Sequence, residues 1–256
     1  MTQATPTPAR LSRLKRFTGM AGPQVVNRLV RKSAVAPRLE YRAWVRSLPI
    51  EPDVVLYESF AGNGMLCNPE AIFRELHGDP QMQRLTHVWV LNGVRAHRET
   101  MRAFKGDGRV RFVERGTLAY YRAVATAGVL INNATFPADV AKRPGQIYLN
   151  TWHGTPLKAM GYHEPEGAYG AANTVRNFLM ADYLLSTSTY MSEVMYEGAY
   201  RLGNIAVGER VETGYPRTDH QFISAEAQRS VRRRLRSQGV TIGVQETMVL
   251  YAPTWK

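Results

Sequence analysis

Residues 147–158 read Ile-Tyr-Leu-Asn-Thr-Trp-His-Gly-Thr-Pro-Leu-Lys. Ile147 to Trp152 has the β-branched and aromatic content of a short strand, and the breaker pair Pro144-Gly145 stands just before it. The next residues give a helix start in the expected order. Thr155 can cap free N–H groups, Pro156 suits the first helical position, and Leu157-Lys158 carry the first turn. Gly154 permits a tight turn and leaves room for close approach. The exposed N–H groups of such a helix start form an anion site. Lys158 sits where the helix dipole disfavours a cation, which asks for an anionic partner. His153, in the connecting loop, has the side chain whose ordinary pKa best fits a general base near neutral pH. A single histidine in such a loop is more often structural than catalytic; its neighbours favour the catalytic reading.

Working outward, strands and helices alternate. Asp53–Phe60 predicts a buried strand, Gly62-Asn63-Gly64 a loop, and Asn68-Pro69-Glu70 a helix start continuing through Leu76. Strands are predicted over His87–Leu91, Val110–Val113 and Gly128–Asn132, with helices over His97–Phe104 and Thr117–Ala127. Downstream come helix Asn173–Met180, strand Asp182–Ser188, helix Tyr190–Tyr200 with Met191, Met195 and Tyr196 as core, and strand Val207–Glu212. Gln228–Gln238 predicts a helix with one arginine-rich solvated face, and Thr247–Ala252 a last strand. This order predicts a parallel, doubly wound α/β sheet, with ligands gathering outside the carboxyl ends of its strands. Glu58, Asn63, Asn133 and His153 all fall at or just past predicted strand ends, so one cleft can hold them. Asn132 and Asn133 are equally readable as turn residues. The glycine loop after Phe60 matches neither a Walker A nor a dinucleotide fingerprint. Arg217 can clamp a phosphate in its fork, and Asp219 is expected to cap the next helix.

Composition narrows the class. A chain of 256 residues with 44% hydrophobic and 21% charged residues can bury a sizeable core. The single cysteine, Cys67, excludes an internal disulfide and a cysteine-based metal site, and burial is its expected role. Net charge is +12, and residues 1–48 hold ten Lys and Arg against Glu40 alone. Within them Leu11, Leu14, Phe17, Val25, Val26, Leu29 and Val30 keep helical spacing, broken at Gly22-Pro23. Two basic amphipathic helices suit an anionic membrane surface, and a solvated helix packed on the protein's own body fits the pattern as well. No run approaches the 18 apolar residues of a spanning helix, and no signal peptide is evident. The expected location is the cytoplasmic face of the membrane, peripherally held. Nucleic acid is not an expected partner, since no recognition module accompanies the basic arm.

Trp152-His153-Gly154-Thr155-Pro156-Leu157-Lys158 resembles the signature of the CDP-glycerol glycerophosphotransferases, the teichoic-acid polymerase and primase family. Glu58-Ser59-Phe60 with Gly62 and Asn68-Pro69, then Ile131-Asn132-Asn133, Gly214-Tyr215-Pro216-Arg217-Thr218-Asp219 and Tyr251-Ala252-Pro253-Thr254-Trp255-Lys256 fall in that family's order. The resemblance covers about residues 52–256 and implies a GT-B fold of two Rossmann-like halves, the nucleotide donor held mostly by the second. It implies an arm over 1–48, a Rossmann-like acceptor-side domain over 49–215, and a linker helix with the first strand of the donor half over 216–256. The implied reaction moves glycerol phosphate from CDP-glycerol to a hydroxyl of a lipid-linked or polymeric teichoic-acid-like acceptor, releasing CMP. His153 would be the base, with Gly154, Thr155, Lys158, Asn133, Glu58, Asn63 and Arg217 around the substrate. No metal and no cofactor beyond the donor substrate is expected. The family's second histidine and donor-phosphate residues have no counterpart here, so turnover by these 256 residues alone does not follow. Two rivals stand beside this reading: a nucleotide-sugar glycosyltransferase of the same fold, and a non-catalytic module that binds membrane or anionic polymer.

Overall fold

The computed structural model describes residues 36–222 and 224–243, with residues 246, 249 and 251. The chain falls into two compact units, 1–217 and 218–256. In the first, seven strands form one wholly parallel sheet in the order β3-β2-β1-β4-β5-β6-β7. They are β1 (Glu51–Glu58), β2 (Thr86–Leu91), β3 (Val110–Glu114), β4 (Ala127–Asn132), β5 (Ile147–Asn150), β6 (Tyr183–Ser186) and β7 (Glu209–Glu212). The expected sheet is present, and strand order reverses between β1 and β4, the switch point past whose carboxyl ends ligands of such sheets gather. The register sets Glu58 beside Asn132, and Asn132 beside Asn150, at that end.

Side-chain alternation divides the core between the two faces. Leu56, Val88, Val90, Leu130 and Tyr148 pack on one face. Their partners there are Tyr120 and Val124 of helix α4 (Leu118–Thr126) and Phe178 of helix α5 (Gly167–Met180). Val55, Tyr57, Trp89 and Ile131 face the other way, onto Phe73 of helix α2 (Cys67–Gly78). Helix α3 (Arg98–Ala103) connects β2 to β3 and has no buried residue. Helix α6 starts at Thr189–Met191 and widens to i→i+5 bonding over Ser192–Ala199; Met191, Met195 and Tyr196 are buried as expected.

The boundaries differ from the sequence reading in informative ways. The two amphipathic helices read over residues 10–32 lie outside the described residues. The end of that arm belongs to the folded unit, however. Residues 36–43 form helix α1, and Tyr41 and Val45 are buried in the main core, with Tyr41 Oη donating to the Ala141 carbonyl at 3.2 Å. The second unit contains helix α7 (Ala225–Ser237), which buries no residue and carries the arginine-rich face. Its cap is Ser224, whose hydroxyl accepts from Ala227 N at 3.1 Å. Asp219, expected to cap it, instead lies in a short 3₁₀ stretch, Pro216–Gln221. Most of the strand read over Thr247–Ala252 lies outside the described residues.

Candidate active site

The strand at Ile147–Asn150 is present, but no helix follows at Thr155. Residues 151–160 run irregularly, and the next α-helix begins only at Gly167. Thr155, Leu157 and Lys158 are exposed, Leu157 at 94%. A helix started there would bury none of these side chains, and an isolated first turn is costly to nucleate without packing. The expected helix-terminus anion site is therefore absent, although Lys158 remains on the same loop as His153. Gly154 keeps the expected room for close approach but does not make the tight turn. A Cβ on it would meet nothing within 4 Å, and the left-handed conformation falls on Trp152 instead, at φ 47°.

That strained tryptophan is one of four such residues at this end of the sheet. Phe60 (φ 45°), Ala61 (φ 57°) and Cys67 (φ 62°) also take positive φ, a region costing side-chain-bearing residues roughly 1–2 kcal/mol each. Specific bonds hold them. Phe60 N donates to Asn133 Oδ1 at 2.8 Å, Trp152 N donates to Asn150 Oδ1 at 3.0 Å, and Asn68 Nδ2 donates to the Trp152 carbonyl at 3.1 Å. The loops after β1, β4 and β5 are thereby tied to one another.

His153 sits in this frame, half-buried. Its Nδ1 lies 2.6 Å from the Asn133 carbonyl, which accepts only, so Nδ1 carries the proton and Nε2 is the basic nitrogen. Phe60 meets the ring edge-on at 5.3 Å and Trp152 lies against it at 4.4 Å. Burial against these rings holds the imidazole pKa below 6.5; the Asn133 bond opposes that shift and the nearby Arg217 charge reinforces it. At neutral pH the ring is an uncharged base.

Arg217 arrives from 150 residues further along than Cys67. One guanidinium nitrogen donates to the His153 carbonyl at 2.8 Å and contacts Cys67 Sγ at 3.0 Å, and the group lies over the Tyr215 ring at 4.9 Å. The side chain is otherwise exposed, with further N–H groups of the fork available to an anion. Tyr215 is buried, its hydroxyl receives the Gly154 N–H, and burial pushes its pKa up to about 12. Cys67, expected to be buried, is half-buried beside Arg217.

A family model described as CDP-Glycerol:Poly(glycerophosphate) glycerophosphotransferase matches residues 40–256. The chain belongs to this family. It is 28% identical over 218 residues to the teichoic acid poly(glycerol phosphate) polymerase of Bacillus spizizenii, covering 82% of this chain and 51% of that one. Identity to the Bacillus subtilis polymerase is 30% over 221 residues, covering 82% and 27%. Identity to the teichoic acid glycerol-phosphate transferase of Staphylococcus aureus is 28% over 217 residues, covering 80% and 50%. The chain thus spans about half the length of two of these relatives and about a quarter of the third. Among solved structures, the wall teichoic acid polymerase TagF after a CDPG soak matches with a TM-score of 0.71 at 23% identity, over 90% of this chain and 55% of that one. The shared fold is α/β, the N-terminal Rossmann-like half of a GT-B-type architecture.

Within this glycerophosphotransferase-family chain, the residues read from the sequence divide into two sets. His153, Gly154 and Arg217 come together past the carboxyl ends of the strands. Asn63 is exposed in the loop after β1, and Thr155 and Lys158 are exposed on the loop after β5. Glu58 and Asn133 are not at the surface at all. Both are 0% exposed. Glu58 Oε1 accepts from Arg115 Nε at 3.0 Å; burial raises the carboxyl pKa and Arg115 opposes that rise. Glu58 is an internal counter-ion, because its strand end is covered by the loops that bind Asn133. Asn133 serves from behind: its carbonyl orients His153 and its amide pins Phe60. Asn68 was not among the sequence candidates for the site, since its start-of-helix position suggested a local role only.

Proposed function

We propose that this chain is the acceptor-side part of a CDP-glycerol glycerophosphotransferase, with His153 as the general base. One observation carries the reading. The Asn133 carbonyl fixes the proton on His153 Nδ1, leaving Nε2 as the basic nitrogen of a half-buried ring past the carboxyl ends of the strands, with the Arg217 guanidinium bonded to the carbonyl of the same residue. In this reaction Nε2 takes the proton of an acceptor hydroxyl while that oxygen attacks the phosphorus bearing glycerol in CDP-glycerol. The bond from phosphorus to CMP breaks, and CMP leaves. Arg217, with Lys158 on the adjoining loop, neutralises phosphate charge during the transfer. The acceptor is a lipid-linked or polymeric glycerophosphate, and the reaction enlists no cofactor besides the donor substrate. The soak of the TagF polymerase with CDPG and the names of the polymerase relatives support this choice of substrates. An amphiphilic acceptor places the protein peripherally at the cytoplasmic face of an anionic membrane. No helix among the described residues is long and apolar enough to cross a membrane.

The test is release of CMP from CDP-glycerol in the presence of a glycerophosphate primer, by the chain and by its longer parent. Removing a general base costs about 10²–10⁴-fold in rate, so His153→Ala should lose that factor. Equal rates for wild type and variant would remove His153 from the role of base. Turnover of a nucleotide sugar in place of CDP-glycerol would favour the glycosyltransferase alternative.

A further inference from the structure

Asn68 is wholly buried at the start of α2. It stands in the first turn of α2, after the N-cap Leu66, and that turn has no side-chain cap. Both ends of the Asn68 amide are used elsewhere. Nδ2 donates to the carbonyls of Thr151 at 3.4 Å and Trp152 at 3.1 Å, and Oδ1 accepts the Arg217 backbone N–H at 3.4 Å. These partners lie 83, 84 and 149 residues away in sequence. One planar amide thus grips the residues immediately before His153 with one edge and the backbone of Arg217 with the other. The loop closes through the Arg217 guanidinium, which donates to the His153 carbonyl at 2.8 Å. The left-handed turn at Cys67 aims the Asn68 side chain into this position, and the left-handed turn at Trp152 presents its carbonyl to it.

We propose that Asn68 is a positioning residue that fixes the His153 ring and the Arg217 fork at a set separation. The proposal rests on the reading of His153 as base and Arg217 as phosphate clamp. Only a group with a donor and an acceptor on one short stem meets both demands. A carboxylate at this position would face two carbonyl oxygens, and an aliphatic side chain would take this partner from the Thr151 carbonyl and the Arg217 N–H and leave the Trp152 carbonyl only the Thr151 hydroxyl.

The experiment uses the whole 256-residue chain, labelled with ¹⁵N-histidine, and follows the His153 ring nitrogens by long-range ¹H–¹⁵N correlation as pH is varied. Wild type should show Nδ1 protonated and a titration midpoint below 6.5, as burial and the Arg217 charge require. In Asn68→Asp and Asn68→Leu, release of Arg217 and hydration of the loop should move the midpoint up toward 6.5 and mix the two tautomers. Val45→Ala, a core deletion away from the site, supplies a destabilised control whose His153 signals should keep wild-type values. Asn68 variants that lose stability as the control does, while His153 titrates as in wild type, would overturn the proposal. Should both Asn68 variants fail to fold, the smaller Asn68→Ala removes the same three bonds, and an unmoved His153 midpoint there overturns the proposal equally. A wild-type ring protonated on Nε2 would instead undercut His153 as the base, which separates failure of that reading from failure of this one.

Discussion

Replacing Arg115 by methionine tests whether Glu58 is an internal counter-ion or a cleft residue. The carboxylate is 0% exposed and meets Arg115 Nε at 3.0 Å, with the arginine side chain 25% exposed. Removing one partner of a buried pair leaves an uncompensated charge and costs about 3–5 kcal/mol. An exposed pair would lose at most about 1 kcal/mol. In a chain of this size each kcal/mol moves Tm by about 2–4 °C, so the expected fall is on the order of 10 °C. The pH dependence carries a definite sign. Burial already holds the Glu58 pKa above 4.5 with Arg115 in place, and in the variant nothing opposes that rise. A carboxyl raised in the folded state contributes stability below its unfolded pKa, and that contribution is lost as pH rises through the folded value. The penalty of Arg115→Met should therefore be smallest near pH ~4.5 and grow toward neutrality. Urea unfolding followed by tryptophan fluorescence measures it, and adding Glu58→Gln to the variant should recover most of the loss. A neutral-pH loss below about 1 kcal/mol, or one indifferent to pH, would mean that water reaches the carboxylate and that the burial argument is mistaken.

His87 is buried with its pKa pushed down to about 4 by burial, while the unfolded chain takes up that proton near 6.5. Stability should therefore fall by about 3 kcal/mol in total as pH drops from 6.5 toward 4. Replacing His87 by Leu together with Tyr57→Phe, which removes its 3.0 Å hydroxyl partner, should flatten that part of the stability profile. Gly62→Ala should destabilise by more than about 1 kcal/mol in thermal unfolding, because φ is +85° and the new Cβ would lie 2.8 Å from Asn92 N. Gly154→Ala, facing open space, should leave Tm within the scatter of surface substitutions, and any effect should appear as weakened CDP-glycerol binding in calorimetry. CMP release should climb with pH through a group whose pKa lies below 6.5, as the His153 ring loses its second proton, and His153→Ala should abolish that ascending limb.

The sheet was legible because parallel strands buried on both faces appear as apolar runs. Val54 to Tyr57 and Val129 to Ile131 could hardly be anything else. His153 and Arg217 were legible as candidates because their residue types suit phosphate chemistry. Long-range pairings were not. Nothing near Glu58 announces that Arg115, 57 residues on, will close over it, and Asn68 has no local sign of its partners 83 to 149 residues away. The helix read at Thr155 failed for the opposite reason: Thr, Pro, Leu and Lys satisfy every local rule, but no tertiary surface rewards the turn. Left-handed backbone at Phe60, Ala61, Cys67 and Trp152 was equally hidden, since none of these residue types favours it.

The hydrogen bond from His153 Nδ1 ends on a peptide oxygen, where many catalytic histidines lean on an acidic side chain. A peptide dipole orients the ring without bringing a compensating negative charge. Once charged, the imidazolium therefore gains no ion pair through that bond, and its extra proton is readily returned to water. The protonated ring is thereby held less firmly than one paired with a carboxylate, and neutrality is its resting condition.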